Sequence, residues 1–303
     1  MVPIGSIDGN KNMEFVQSDE ITFEGGTSYR EGSSRHKLLL EGKSGSPGNY
    51  SLVIAECVGR YSPRHRHNFE QIRFQIEGEA CYGRAGKLSA GMVGYYPEAV
   101  HYGPQTQDAQ SILSTLVLQC GGASGSGYIS RKESDDAVKA LNGLGSFKNG
   151  VFKLSRDVDG LVDGTSGKRN LDAAQAIWEY VNKKPMIYPV PSFKAPLLID
   201  PTHYEWKSLN NQPGVAERRL GTFTPANTAI KMVKVSACSH LQLTGGRDIY
   251  FVYQGIGQIN NTTARFGTTI YLEPKENLNF TAKTDSVLLN IHLPDLQYIK
   301  TFE

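Results

Sequence analysis

The chain of 303 residues is poor in the signals that most cheaply betray a function. It has four cysteines, Cys57, Cys81, Cys120 and Cys238, with no Cys-x-x-Cys pair among them. Scattered in this way, they are expected to be reduced thiols buried as small hydrophobes. No apolar run approaches the ~18 residues that a membrane-spanning helix needs. An excess of one charge is also missing. Thirty-two Lys and Arg stand against 30 Asp and Glu, a net charge of +2 without any basic block, which argues against nucleic acids and membrane surfaces as partners. The opening MVPIGSIDGNKNMEF has neither the basic nor the apolar region of a secretory signal, so the expected location is cytoplasmic. There is no Gly-x-Ser-x-Gly elbow. DVDGLVDG at 157–164 lacks the order of an EF-hand loop, and GTSGKR lacks the leading glycine of a phosphate-binding loop.

What the chain does have is turns. Thirty-two Gly and 14 Pro are spread along it, which predicts many short strands. KLLLEG and YSLVIAECV, separated by a GSPGN turn, predict a hairpin over 37–58, and strand-length runs continue to about residue 120. GGASGSG then leads out to a helical stretch. Ser130-x-x-Glu133 is a capping box ahead of Ala137, Val138 and Leu141, and Gly143 stops the run. A second helix is expected over Leu171–Lys184, with Asn170 as its N-cap and Pro185 beyond its end. From about 196 the strand texture returns in AIKMVKV, DIYFVYQGIGQI, TTIYLEP and VLLNIHL. The expected organisation is a first β module at 1–125, a linker with two helices at 126–192, and a second β module at 193–303.

The chemistry concentrates in PRHRHNFEQIRFQIEG at 63–78. Residues two apart on a strand share a face, so His65 and His67 project together and Gln71 keeps the same parity. Ile72, Phe74 and Ile76 take one face of the following strand, while Gln71, Arg73 and Gln75 take the other. The polar face is therefore the one that follows the histidines. Buried polar side chains need partners, and a substrate can supply them. Arg73 presents a fork of donors suited to a carboxylate or an enolate oxygen. The blander alternatives are an internal ion pair of Arg73 with Glu56 or Glu98, and an internal hydrogen-bond bracket for Gln75. Tyrosines are plentiful nearby, among them Tyr61, Tyr96 and Tyr102.

Read from Gly59, the spacing G-x5-H-x-H-x3-Q-x6-G ends at Gly78 and resembles the first signature of the cupin superfamily, with Gln71 where an acid is usual. The second signature follows in part. Gly91-x5-Pro97 is present, Ala99 replaces a glycine, and Tyr102 falls where a histidine belongs, with His101 one residue earlier. The resemblance implies an all-β double-stranded β-helix, or jelly roll. It also implies a divalent transition metal held by His65, His67, Gln71 and His101. Iron(II) is the first expectation, with nickel, manganese, copper or zinc also suited to such ligands. In register Tyr102 turns inward, whereas a one-residue bulge turns His101 inward instead.

Anchored on Gly255 and Gly267, the second module places Gln242, Thr244 and Asp248, then Asn277 and Leu278, at the ligand positions. The chain thus reads as a bicupin with one competent and one degenerate barrel. The expected function is a metal-dependent enzyme on a small oxygenated, aromatic or anionic molecule. A dioxygenase comes first, then an isomerase or lyase using the metal as Lewis acid, then a non-catalytic binding module. Glu98 and Tyr102 are the catalytic candidates, and Arg73, Gln75, Tyr61 and Tyr96 the substrate-binding ones. Glu98 is alternatively an exposed turn carboxylate. A monomer and a homodimer are both compatible with the sequence.

Overall fold

The computed structural model describes residues 14–25, 30–107, 111–125, 127–155 and 169–299. The acidic glycine-rich run at 157–164 lies outside them. The described residues divide into two compact units, Phe23–Ile199 and a second made of Asp200–Ile299 together with residues 14–22. Both are built from antiparallel strands, and among the described residues no helix is long and apolar enough to cross a membrane.

In the first unit the strands run in the order Leu197–Ile199, Val93–Tyr96, Glu70–Glu77, Leu113–Cys120 and Tyr50–Ser62. Glu31–Glu41 pairs with Tyr50–Ser62, as the GSPGN turn predicts. The far end of Tyr50–Ser62 continues into Gln105–Thr106, which leads to Glu79–Cys81 and Lys87–Ser89 and bends the sheet toward closure. The glycines of the two signatures have physical reasons. Gly78 takes φ +80, and a Cβ there would lie 2.6 Å from the carbonyl oxygen of Ile112. Ala99, where a glycine is usual, adopts φ +63, so the backbone keeps the left-handed turn despite the methyl group.

Helix α1 (Arg131–Asn142) has the full capping box. Ser130 Oγ accepts from Glu133 N, and the Ser130 amide donates to the Glu133 carboxylate at 2.7 Å. Helix α2 (Ala173–Asn182) begins later than the sequence suggests. Asp172 is its N-cap, accepting from Ala174 N and Gln175 N, because Asn170–Asp172 is a strand. That strand joins Gly145–Lys148 and Val151–Leu154 in a small sheet that the sequence reading missed. The stretch between the modules is thus an α/β layer belonging to the first unit.

The second unit packs a seven-stranded sheet, from Glu14–Gln17 to Lys207–Ser208, and a four-stranded sheet around one core. Leu241, Leu243, Tyr250, Ile270, Leu272, Phe280 and Leu288 are among the side chains that fill it. Gln242 and Thr244, on the other parity of their strand, are exposed. The ligand positions are therefore gone and apolar side chains occupy the interior. Two boundaries drawn from sequence shift. Glu14–Gln17 falls in the first module by sequence, yet it pairs with Thr268–Leu272. Leu197–Ile199 falls in the second, yet it extends the first sheet beside Val93–Tyr96. Short edge strands carry too little periodicity to reveal partners so distant in sequence. Cys57 and Cys120 are buried as expected, whereas Cys238 is exposed at a left-handed turn residue.

Candidate functional site

A cavity of about 230 Å³ lies in the first unit. Alternate residues of two strands form its floor: Thr115 and Val117 on Leu113–Cys120, Val53 and Ala55 on Tyr50–Ser62. Ile177 and Trp178 of α2 and Arg131 of α1 line it from the helical layer. His65, His67, Asn68, Phe69, Arg73, Tyr82 and Gln105 complete the end that carries the signature residues.

Residues 65 and 102 settle the question of register. His65 N donates to Tyr102 O at 3.0 Å and Tyr102 N to His65 O at 2.9 Å, an antiparallel bridge without a bulge. Tyr102 is accordingly buried, with its ring 4.5 Å from that of His65, while His101 points out and is exposed. The expectation that His101 completes a ligand set is corrected by this register.

His65 and His67 do come together, with ring centroids 4.9 Å apart. Burial first, then the charge of Arg30, pushes both imidazoles well below their ordinary pKa, and Arg73 lowers both further. They are neutral near pH 7. His65 Nδ1 lies 2.6 Å from Pro63 O; a carbonyl only accepts, so Nδ1 carries the proton and Nε2 keeps its lone pair.

Gln71 is buried on the same face, but its carbonyl oxygen is fully engaged. Oε1 accepts from Arg73 Nη2 at 2.7 Å and from Arg73 Nε at 3.1 Å, and Nε2 donates to Tyr102 Oη at 3.0 Å. The remaining N–H groups of Arg73 reach Tyr82 Oη at 2.6 Å, Gln105 Oε1 at 3.1 Å and Tyr102 Oη at 3.3 Å. The guanidinium also lies 4.6 Å from the Tyr96 ring centroid. Burial opposes its charge, but Tyr82, Tyr102 and Tyr96 outweigh that and raise its pKa. All the oxygens that accept from Arg73 are neutral, and the anticipated ion pair is not formed; Glu56 pairs with Arg35 instead.

This arrangement does not fit the four-donor metal set. Of the four positions only the two imidazoles retain free donor atoms. Both lone pairs of the Gln71 oxygen are used, His101 faces away, and a permanent cation stands beside the place. Among the described residues no three His, Cys, Asp or Glu side chains gather to hold a metal ion. Among the described residues the cavity wall has five arginines, Arg30, Arg35, Arg60, Arg73 and Arg131, and one carboxylate, that of Asp135. Such a wall repels a divalent cation and attracts an anion.

Other candidates fall elsewhere. Gln75 is closed in a bracket, donating to Glu77 O and Ser114 O and accepting from Thr115 Oγ1 at 3.1 Å, so it has nothing left for a substrate. Tyr96 supports Arg73 from behind, and Tyr61 is outside the cavity wall. Glu98 is neither an exposed turn carboxylate nor a cavity residue. It lies under the turn at 122–125, bonded to Ser124 Oγ and, at 3.1 Å, to Ser124 N. Burial first, then the nearby carboxylate of Glu70, push it up to about 8. Glu70 itself is 2% exposed. Tyr82 is one of the tyrosines that crowd this stretch, but alternation gives it no role. Gln105 comes from a two-residue strand far from the signature and carries no motif, and Asn68 has no signal beyond its place between His67 and Phe69.

No family model matches the sequence, and no curated relative matches it. Among solved structures the chain is similar to a dioxygenase candidate from Nostoc punctiforme PCC 73102, at 10% identity over 96% of this chain and 87% of that one, with a TM-score of 0.62. It is similar to a candidate glyoxylate-induced protein of Pseudomonas aeruginosa, at 10% identity over 99% and 94%, with a TM-score of 0.58. It is also similar to oxalate decarboxylase of Bacillus subtilis, at 12% identity over 96% and 78%, with a TM-score of 0.53. At such identities the likeness shows the fold, and the fold is that of a two-barrel cupin.

Proposed function

We propose that the first barrel is a site for a small organic anion, in which Arg73 supplies the positive charge that a metal supplies in metal-dependent cupins. The observation that carries this reading is the saturation of Gln71 Oε1 by two N–H groups of Arg73. One change of side chain, acid to amide, removes a metal ligand and frees the adjacent arginine from ion pairing.

All five N–H groups of Arg73 are already donated, so it gives charge rather than a vacant hydrogen bond. The phenols carry that charge forward. Tyr82 Oη accepts from Arg73 and keeps its own proton to give, and Tyr82 lines the cavity. A carboxylate or enolate oxygen of the ligand sits against that hydroxyl, with the guanidinium behind it. The chemistry best matched to these groups is proton transfer at a carbon beside the carboxylate, as in an isomerase or lyase. His65 Nε2 takes the proton from carbon, the C–H electron pair moves onto the carboxylate oxygens, and Arg73 with Tyr82 stabilises the charge there. Burial and Arg30 make the free imidazole a weak base; an arriving anion offsets that field and raises its basicity.

Arg73→Gln tests the reading. Loss of the charge is expected to weaken binding of organic acids by about 10- to 100-fold. Arg73→Lys keeps the charge without the fork and recovers part of it. Unchanged affinity in Arg73→Gln, measured by titration calorimetry, contradicts the reading. The two neutral imidazoles favour a second reading, an oxygenase with a metal on His65 and His67. It requires oxygen consumption with substrate, which an oxygen electrode detects, whereas the first requires turnover under anaerobic conditions.

A further inference from the structure

Asn68 stands in the cavity wall between His67 and Phe69 and is 0% exposed. Among the described residues neither its Oδ1 nor its Nδ2 has a hydrogen-bond partner. Native proteins rarely bury an amide in that state, because both ends lose water without replacement. Local structure gives it no employment: the adjoining backbone bond, Ala99 N to His67 O at 2.7 Å, is made by main chain alone. The rings of its two chain neighbours, His67 and Phe69, stack on each other with centroids 4.5 Å apart and offer the amide no hydrogen bond.

An amide presents an acceptor and two donors, so its complement both donates and accepts. A hydroxyl or an amide does so; an ionised carboxylate only accepts. The rest of the wall states what the group is attached to. Val53, Ala55 and Val117 form an apolar floor, and Ile177 and Trp178 lie on α2. Such walls take an apolar body. The charged end of the ligand belongs at Arg73 and Tyr82, as argued above.

We propose that the ligand is an organic acid with an apolar body that carries, besides the carboxylate held at the Arg73–Tyr82 end, a hydroxyl or amide group read by Asn68. This rests on the anion-site reading and adds a specificity-determining residue to it. Sites built to bond a hydroxyl reject the analogue that lacks it, because their own polar atoms are then left unpaired.

Matched acids test it: mandelate against phenylacetate, and salicylate against benzoate, titrated into the wild-type chain, Asn68→Leu and Arg73→Gln. In the wild type at least one hydroxy acid is expected to bind ~10-fold or more tightly than its parent. In Asn68→Leu that preference falls to less than about twofold, through loss of affinity for the hydroxy acid and not for the parent. Asn68→Ala, with the same expectation, replaces the leucine variant if the latter does not fold. A wild-type ratio near one for both pairs, no binding of any of the four acids, or a ratio retained in both Asn68 variants overturns the proposal. Arg73→Gln separates the two ideas. If it weakens all four acids while the Asn68 ratio is flat, the anion site stands and the role of Asn68 falls. If it weakens none, the anion site itself falls.

Discussion

An amide and not a carboxylate at position 71 decides what its neighbours can do. An acid there would pair with Arg73 and neutralise it; the amide accepts from Arg73 and leaves its charge intact. The pKa of the histidines records the consequence, since both are held low by burial and by arginines. On the anion-site reading, binding is coupled to proton uptake. The free imidazoles titrate well below 6.5 and a bound anion raises them, so affinity for organic acids is expected to rise as pH falls from about 7 to 5. Calorimetry in buffers of different ionisation enthalpy measures the protons taken up; zero uptake at pH 6 contradicts the coupling. Glu98 behaves in the opposite sense. Its folded-state value of about 8 lies above the ordinary 4.5, so the protonated carboxyl favours the fold. That contribution is full below 4.5 and is lost as pH rises through 8. Glu98→Gln mimics the protonated form. It is expected to raise the Tm at pH 9 by about 2–8 °C and to change it little at pH 5. A Tm gap between variant and wild type that is the same at both pH values would rule this out.

At the scale of elements, the signature strand and its turn were open to reading because their rules are local. His65, His67, Gln71 and Arg73 share a face by simple alternation, and α1 announces itself through Ser130 and Glu133. What alternation could not supply was the choice between His101 and Tyr102. That depended on whether a bulge intervenes, and the His65–Tyr102 bridge is regular. Nor could it supply the tertiary partners that decide employment. Gln75 looks like a pocket residue by parity, yet Ser114 and Thr115 across the sheet absorb it. Glu98 looks like a turn carboxylate, yet the turn after the strand Leu113–Cys120 folds over it. Gly122 makes that cover possible. It adopts φ +68, and a Cβ there would lie 2.7 Å from the Glu98 carboxyl carbon and 2.8 Å from Glu70 Cγ. Gly122→Ala is expected to destabilise the first unit by about 1–3 kcal/mol, read from urea midpoints. A midpoint unchanged from wild type would mean that the turn is not held as described.

Across the whole molecule, one fold appears twice with opposite fates. The second unit fills its interior with Leu243, Tyr250, Phe280 and their neighbours, while the first keeps a cavity lined by arginines. The duplication was legible from strand-length runs and spaced glycines. The boundaries were less so, because Glu14–Gln17 and Leu197–Ile199 each join a sheet whose other strands are far away in sequence. The central claim concerns the charge in the first barrel: it belongs to the chain itself, at Arg73. Titration of mandelate into wild-type protein stripped with a chelator tests this most directly. The account predicts the same affinity before and after stripping, and no gain on adding iron(II), nickel, manganese, copper or zinc. Binding that disappears with the chelator and returns with one of those ions would contradict it.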